Sequence, residues 1–250
     1  MNIEENEEVF EFLRGYVDTE GHLNKEFQIT EMSGEDEEAI SKKDTKANAG
    51  KVVRVILERC ITRMGEHTRK SLGTAKWREA IQSLSIGDQD FALMKIREET
   101  LGNEIEVLHN CPECEQELNT IIETDELEIK DFNGLDILDF ELPKGFKDKK
   151  GVVHKSGTMR YPNGLDRETL NQLIKTNTGM ANTMLLTRCI INLGDLTVYD
   201  QVIRKLSIRD REYLLKILQE NDFGLDMSTE ITCTACGTSF KGNLNSTNFI

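Results

Sequence analysis

The sequence has no apolar run of membrane-spanning length, and its start lacks the order of a secretion signal. A bilayer-spanning helix needs about 20 consecutive, mostly apolar residues, whereas only 38% of this 250-residue chain is hydrophobic. The opening residues, MNIEENEEVFEF, are acidic, where a secretion signal has a basic region and then an apolar one. We therefore expect a soluble protein in a reducing cytoplasm, where paired cysteines bind metal more often than they form disulfides.

Positive charge is scarce as well. The chain has 31 Lys and Arg against 45 Asp and Glu, so its formal net charge is −14. This excess repels phosphate backbones, and neither nucleic acid nor membrane is an expected partner. The one local basic segment, HTRKSLGTAKWR at 67–78, could contact nucleic acid, but we interpret it as a solvated loop.

Motifs of catalysis are missing too. The sequence contains no Gly-x-Ser-x-Gly, no phosphate-binding Gly-Lys-Ser/Thr loop and no His-Glu-x-x-His. The carboxylates of GEDEEAI suit the start of a helix, where negative charge complements the helix dipole. Histidines are few and scattered, at His22, His67, His109 and His154. We expect a protein that is not an enzyme.

The sequence does contain an apparent internal repeat. An offset of 122 places Cys111 and Cys114 on Cys233 and Cys236, and WREAIQSLSIGDQDFALMKI aligns ungapped with YDQVIRKLSIRDREYLLKIL. Upstream, LERCITRMG matches LTRCIINLG. We interpret these matches as two copies of one unit. The predicted divisions are a docking segment at 1–22, unit one at 23–118, an acidic linker at 119–152, unit two at 153–240 and a tail at 241–250.

Helical periodicity dominates each predicted unit. Apolar residues in VVRVILERCITRM lie on one helix face, and we expect this helix and its counterpart to end at Gly65 and Gly194. Ser85 and Asp88 fit a capping box at the next helix. After that helix, EIEVLHN alternates with the period of a strand. We predict a mainly α fold with small β-hairpins (α+β), in which two tandem, pseudo-twofold-related helical units each end in a Cys-bearing zinc-knuckle hairpin.

Two segments outside these units invite separate interpretations. NEEVFEFLRGYV is expected to form a docking helix with Val9, Phe10 and Leu13 on one side. The linker is expected to be strand and loop on the surface. Its part from Leu135 to Leu142 could alternatively be a partner-binding strip.

The two Cys-x-x-Cys pairs predict a structural metal site. Each pair supplies two thiolates, and a tetrahedral Zn²⁺ site needs four. If the hairpins meet, one Cys₄ site with Zn²⁺ as cofactor is formed by Cys111, Cys114, Cys233 and Cys236. Three alternatives remain open: a redox disulfide in each pair, two sites completed by His109 or by another subunit, or cysteines packed as small apolar residues. Cys60 and Cys189 lie on apolar helix faces and are predicted core residues.

The sequence also resembles a known family. An extended start, the GEDEEAI and VVRVILERCI helices, LSIGDQDFALMKIREETLG and then CPEC are similar to T-even-type phage baseplate and hub proteins of contractile tails. LPKG at 142–145 resembles an entry motif of that family, although here it precedes the second unit. The sequence departs from the pattern in its duplication and in having Thr234 where the first hairpin has Pro112.

The resemblance implies a function in tail assembly. It implies a structural or assembly protein of a contractile tail baseplate or hub, with other tail proteins as partners, in the virion tail and in the host cytoplasm during assembly. The four cysteines would add a zinc-stabilised docking surface. One alternative is a zinc-ribbon adaptor or nucleic-acid-associated regulator with a basic face of Arg69, Lys70, Lys76 and Arg78. Another is a thiol oxidoreductase that cycles the cysteine pairs.

Overall fold

The computed structural model, which describes residues 8–244 and 246–249, shows an α+β protein. It is 43% helical and 31% strand, and the strands form several sheets. The prediction of a mainly α fold built from two duplicated helical units is therefore wrong. Some segments that are predicted as helix form strands instead, because their apolar residues alternate closely enough to line one face of a sheet.

The elements follow one another with short connections. In the first part of the chain they are β1 Val9–Val17, β2 Leu23–Ile29, α1 Gly34–Ser41, α2 Lys43–Lys46, α3 Ala49–Cys60, β3 Ile61–Met64, β4 His67–Thr68, α4 Arg69–Leu72, α5 Thr74–Ser83, α6 Ile86–Leu101, β5 Glu104–Asn110 and β6 Glu117–Glu123. In the second part they are β7 Ile129–Lys130, β8 Leu138–Lys147, β9 Val153–Met159, α7 Gly164–Thr176, α8 Thr178–Cys189, β10 Ile190–Leu193, α9 Asp200–Lys205, α10 Ile208–Glu220, β11 Gly224–Leu225, β12 Ser228–Thr232 and β13 Ser239–Asn243.

The predicted N-terminal docking helix is instead a strand. β1 pairs antiparallel with β2 at the edge of a four-stranded sheet in the order β1-β2-β3-β4. Phe12 is buried and stacks on Phe27 with ring centroids 4.2 Å apart, whereas the neighbouring Glu11 faces outward. Val9, Phe10 and Leu13 therefore do not share a helix face, because the segment follows the two-residue period of a strand.

The two long predicted helices end earlier than expected. α3 ends at Cys60, and the next four residues pair with β2 as strand β3. α8 likewise ends at Cys189 and continues as β10, which pairs with β9. Gly65 and Gly194 do adopt positive φ, 54° and 55°, but they end strands rather than helices. Short apolar stretches fit a helix face and a buried strand equally well, which explains the error.

The region predicted as an acidic linker contains strands. Residues 119–152 include most of β6 and all of β7 and β8, and β8 forms an edge of the three-stranded sheet β10-β9-β8. Leu138, Phe140 and Leu142 are buried in the core of the second part of the chain. The segment from Leu135 to Leu142 was the possible partner-binding strip, but these three of its side chains pack inside the molecule.

Two large apolar clusters form the core, and α3, which belongs to the first cluster, crosses α7. The crossing is close, since a Cβ on Gly50 would lie 2.6 Å from the Cα of Glu168. Arg54 donates to Glu168 over 2.8 Å, and Arg167 donates to Asp90 over 2.6 Å, so ion pairs join α7 to α3 and to α6. Among the residues described, no helix combines the length and apolar character that a bilayer span requires.

Candidate metal centre

Two β-hairpins bring the cysteine pairs to one place. β5 pairs with β6 in unbroken register from Glu104 opposite Glu123 to Asn110 opposite Glu117, and Cys111 and Cys114 lie in the turn between them. β12 pairs with β13 in the same unbroken way. Its turn carries the other cysteine pair, Cys233 and Cys236.

The two turns share one backbone geometry. Cys111 donates its N–H to Gln116 and accepts from Glu115, each over 2.9 Å. In the second turn, the N–H of Cys233 donates to Thr238 and its carbonyl accepts from Gly237, again over 2.9 Å. Glu115 and Gly237 occupy corresponding positions with positive φ. The exchange of Pro112 for Thr234 therefore leaves the hydrogen bonding of the turn unchanged.

The sulfur positions match a tetrahedral thiolate site. Sγ of Cys111 lies 3.7 Å from Sγ of Cys236, and Sγ of Cys114 lies 3.7 Å from Sγ of Cys233. All four sulfurs lie within 4.8 Å of one another. Four Zn–S bonds of about 2.3 Å arranged as a tetrahedron place the sulfurs about 3.8 Å apart. A disulfide bond is about 2.05 Å long, so the spacing fits a shared cation and not a disulfide.

The cluster is anchored on one side and open on the other. Cys111 and Cys233 are each 1% exposed and pack with Leu118 and Ile231, with Phe240 against them. The other two cysteines are exposed. Apolar packing thus fixes the bases of both turns, while an ion could enter from the solvent side.

Hydrogen bonding gives the two exposed thiols, Cys114 and Cys236, different pKa values. The side chain and backbone of Thr238 lower the pKa of Cys236 to about 6, which favours the thiolate that binds metal. The backbone N–H of Gln116 lowers the pKa of Cys114, but hydrogen bonds with the neighbouring thiols, Cys236 foremost, outweigh it and raise that pKa to about 12. Ionisation of one of these thiols therefore disfavours ionisation of the other, and a divalent cation would neutralise the negative charge of both thiolates.

His109 lies beside the centre but is not needed to complete it. It faces Leu118 across the first hairpin, and its Nε2 is buried without a hydrogen-bond partner among the described residues. A Cβ on Gly242 would lie 2.8 Å from Cε1 of His109, so a glycine lets the second hairpin pack against this ring. The four cysteines form a cluster without it, and His109 packs between the hairpins.

The two remaining cysteines are core residues, as predicted. Cys60 and Cys189 are fully buried at the ends of α3 and α8. Burial raises the pKa of each thiol to about 12, which keeps them protonated and unreactive.

Trp77 and Arg78 of the basic segment, and Asp36 of the acidic segment, make contacts that stabilise the fold, whereas Arg69, Lys70 and Lys76 are exposed. Trp77 of the basic segment is fully buried and donates its indole N–H to the carbonyl of Glu58 over 3.0 Å, so it offers no stacking face. Arg78 donates to the Glu58 carboxylate over 2.8 Å. In GEDEEAI, which starts helix α1 as expected, Asp36 forms a capping box with Ser33 and also binds Arg59.

Comparison with known protein families finds a match, which covers most of the chain. A family model described as T4 bacteriophage base plate protein matches residues 18–200, which is more than half of the length. No curated protein and no solved structure matches the chain. The matched region contains the first cysteine pair and ends before the second, so the closure of the metal centre rests on the geometry described above.

Proposed function

We propose that this chain, which belongs to the family of T4 bacteriophage base plate proteins, is a non-enzymatic structural protein of a contractile tail baseplate or hub. In this proposal, Zn²⁺ held by Cys111, Cys114, Cys233 and Cys236 fixes a surface on which other tail proteins dock. Its place is the virion tail, and it passes through the host cytoplasm during assembly.

The convergence of the four sulfurs is the observation that supports this proposal. Cys114 and Cys233 are 119 residues apart in sequence, yet their sulfurs lie 3.7 Å apart. A metal at this point would tie a hairpin of the first part of the chain to one near its end. Binding energy at a site that exists only in the folded chain is folding energy, so the ion would hold both hairpins in one arrangement.

The ligand set favours a structural ion over a catalytic one. A catalytic zinc keeps a coordination position open for water or substrate, whereas four cysteine thiolates complete the tetrahedron. Each 3.7 Å sulfur contact joins one hairpin to the other. A redox dithiol would instead oxidise within one Cys-x-x-Cys pair, so the geometry favours metal binding over the thiol oxidoreductase alternative.

The nucleic-acid alternative receives less support. Of the basic segment at 67–78, the aromatic Trp77 is buried and Arg78 is paired with Glu58. Single-strand binding needs exposed aromatic faces within a basic groove.

Metal analysis tests the zinc. The purified chain is expected to carry one zinc per molecule by native mass spectrometry, and Cys114→Ser or Cys236→Ser should reduce the content below half. Cys60→Ala is the matched control, since it removes a buried thiol outside the cluster and should leave the metal content unchanged. Absence of zinc from freshly purified chain, or equal zinc in the cluster variants, would contradict the site.

Complementation tests the function. A phage that lacks this gene should regain complete contractile tails when the wild-type chain or Cys60→Ala is supplied, and fewer when Cys236→Ser is supplied, as counted by electron microscopy. Complete tails without any supplied chain would refute the baseplate function. Full rescue by a folded, zinc-free cluster variant would separate that function from the metal.

A further inference from the structure

The outer face of the β5–β6 hairpin is acidic with an apolar centre. Leu108 and Ile121 are 66% and 56% exposed, and their strand registers place them as diagonal neighbours on this face. Four carboxylates share the face, namely Glu104, Glu106, Glu117 and Glu123. None of these carboxylates forms a salt bridge with any residue that the structure describes. We call it the acidic hairpin face.

Like charges crowd this face in the isolated chain. Residues 104–128 contain no Lys or Arg, and their carboxylates are Glu104, Glu106, Glu113, Glu115, Glu117, Glu123, Asp125, Glu126 and Glu128. Glu104 lies directly opposite Glu123 across the strands, a pairing that destabilises a hairpin. Burial, together with the charges of Glu104, Asp125 and Glu126, raises the pKa of Glu123. A cationic partner would relieve this repulsion.

The turn between β8 and β9 has the opposite character. It carries Lys147, Lys149 and Lys150, and with Lys205 they border a hollow of about 440 Å³. The hollow also includes the less exposed side chains of Phe146, Leu196 and Val202. Within the described ranges, these four lysines have no salt-bridge partner. We call this region the basic turn.

Hydrogen bonds hold the basic turn in shape. Asp148 accepts from the N–H groups of Lys150 and Val152, each over 2.9 Å, and lies 3.4 Å from the ring of His154. Val152 and Val153 project from the turn and are 51% and 50% exposed. The basic turn therefore carries lysines beside exposed valines, so its charge is opposite to that of the acidic hairpin face.

We propose that the acidic hairpin face of one copy of this chain docks on the basic turn of a second copy. This inference goes beyond the proposed function and does not depend on it. The contact joins two different surfaces, so it is heterologous, and repetition of it builds a ring or an open chain of subunits. The net charge of −14 on each copy opposes approach at long range. At physiological ionic strength this repulsion is screened beyond about 8 Å, and the opposite charges in contact decide the outcome.

Charge reversal on each side gives two variants that should not self-associate but should bind each other. Lys149→Glu with Lys150→Glu removes the basic turn but keeps the acidic face. Glu106→Lys with Glu123→Lys removes the acidic face but keeps the basic turn. In sedimentation velocity, wild type should associate at about 0.15 M salt, where the long-range repulsion is screened, and dissociate at about 0.5 M, where the contact charges are screened as well. Each variant should associate at least about a hundredfold more weakly, because reversal places like charges in contact.

The mixture is the decisive sample. One variant keeps the acidic hairpin face and the other keeps the basic turn, so an equimolar mixture should associate more strongly than either variant alone. Lys42→Glu with Lys43→Glu is the control, since it makes the same charge change on exposed lysines elsewhere and should associate like wild type. A monomeric wild type at about 100 µM, unchanged association in either variant, or a mixture that stays monomeric would overturn the proposal.

Discussion

Buried aspartates hold this chain together at the scale of single residues. Asp88, Asp166 and Asp210 are fully buried, and each lies at the start of a helix. Asp88 accepts from the backbone N–H of Arg14 at 2.9 Å, and Asp210 accepts from that of Lys144 at 2.7 Å. These carboxylates thus bind strands β1 and β8 to the helices beneath them.

Asp166 shows how arginine keeps a buried carboxylate charged. Burial by itself would raise its pKa, but hydrogen bonds and charge from Arg160, helped by the N–H of Asn163 and by Arg188, outweigh burial and lower it. The Arg160 contact is 2.6 Å and the Arg188 contact 2.5 Å. A lowered pKa in the folded state means that ionised Asp166 stabilises the fold above the ordinary aspartate pKa.

Asp166→Asn is expected to lower the free energy of unfolding by about 3 kcal/mol at pH 7, because it leaves two arginines without their carboxylate. The difference from wild type should shrink as the pH falls below about 4, where the wild-type carboxylate also becomes protonated. Urea unfolding at several pH values measures this difference in the free energy of unfolding. Asp200→Asn is the control, since its exposed pair with Arg204 is worth about 0.5 kcal/mol or less. A difference for Asp166→Asn that stays constant down to pH 3 would contradict this account.

The sequence could predict that the two cysteine pairs lie together, but not their surroundings. Two Cys-x-x-Cys pairs at matching positions predicted one cluster, and the structure brings the four sulfurs within 4.8 Å of one another. Nothing in the sequence marked Thr238, whose hydrogen bonds lower the pKa of Cys236. The predicted pairing of Ser85 and Asp88 was half right, since Ser85 caps the N–H of Asp88 while the Asp88 carboxylate binds β1. Long-range contacts of this kind leave no local pattern.

At the scale of elements, helix starts were predictable, whereas strands were predictable only where apolar and polar residues clearly alternate, as in EIEVLHN, which forms β5. α1 begins at Gly34, as the acidic segment GEDEEAI indicated. β1, β3 and β10 were assigned to helices instead. Their apolar residues are few and close together, so a strand period and a helix period fit equally well until pairing with a neighbouring strand decides.

The α3–α7 crossing predicts an asymmetry between two glycines. Gly50 and Gly179 are each the second residue of a 12-residue helix. A Cβ on Gly50 would lie 2.6 Å from backbone of α7, whereas one on Gly179 would meet only Asn177 Oδ1 at 3.6 Å. Gly50→Ala should therefore lower the free energy of unfolding by about 1–3 kcal/mol.

Gly179→Ala is the matched control and should be neutral or stabilising by up to about 1 kcal/mol, because alanine favours the helix. Midpoints of urea unfolding compare the two variants under one condition. Equal effects would mean that helix propensity, and not the close crossing of α3 and α7, governs both positions.

At the scale of the whole molecule, the end of the chain returns to its beginning. Leu244 and Phe249 are buried in the apolar cluster formed by the first part of the chain. β11 pairs with β7, and Lys130 binds Asp226 over 3.0 Å next to that pairing. The C-terminal hairpin is therefore fixed both by its own core contacts and by the sulfur cluster at its tip.

This double attachment predicts where removal of a metal would act. Ile105 and Val107 at the base of the first hairpin belong to the large core cluster, whereas Leu118 and Ile231 near the tips belong to the small cluster around the cysteines. The large clusters stabilise the bases without an ion, but the tips bury too little apolar surface to stay together alone.

Chelation should therefore loosen only the tips. Hydrogen exchange followed by mass spectrometry is expected to rise after zinc removal in segments 108–118 and 231–241, and to stay unchanged in α3 and in the base of β5. Re-addition of zinc should restore the protection, because open and closed tips differ only by the bound ion. Loss of protection throughout the chain would show that the ion supports the whole fold, and no change at the tips would show that the thiol cluster stays closed without it.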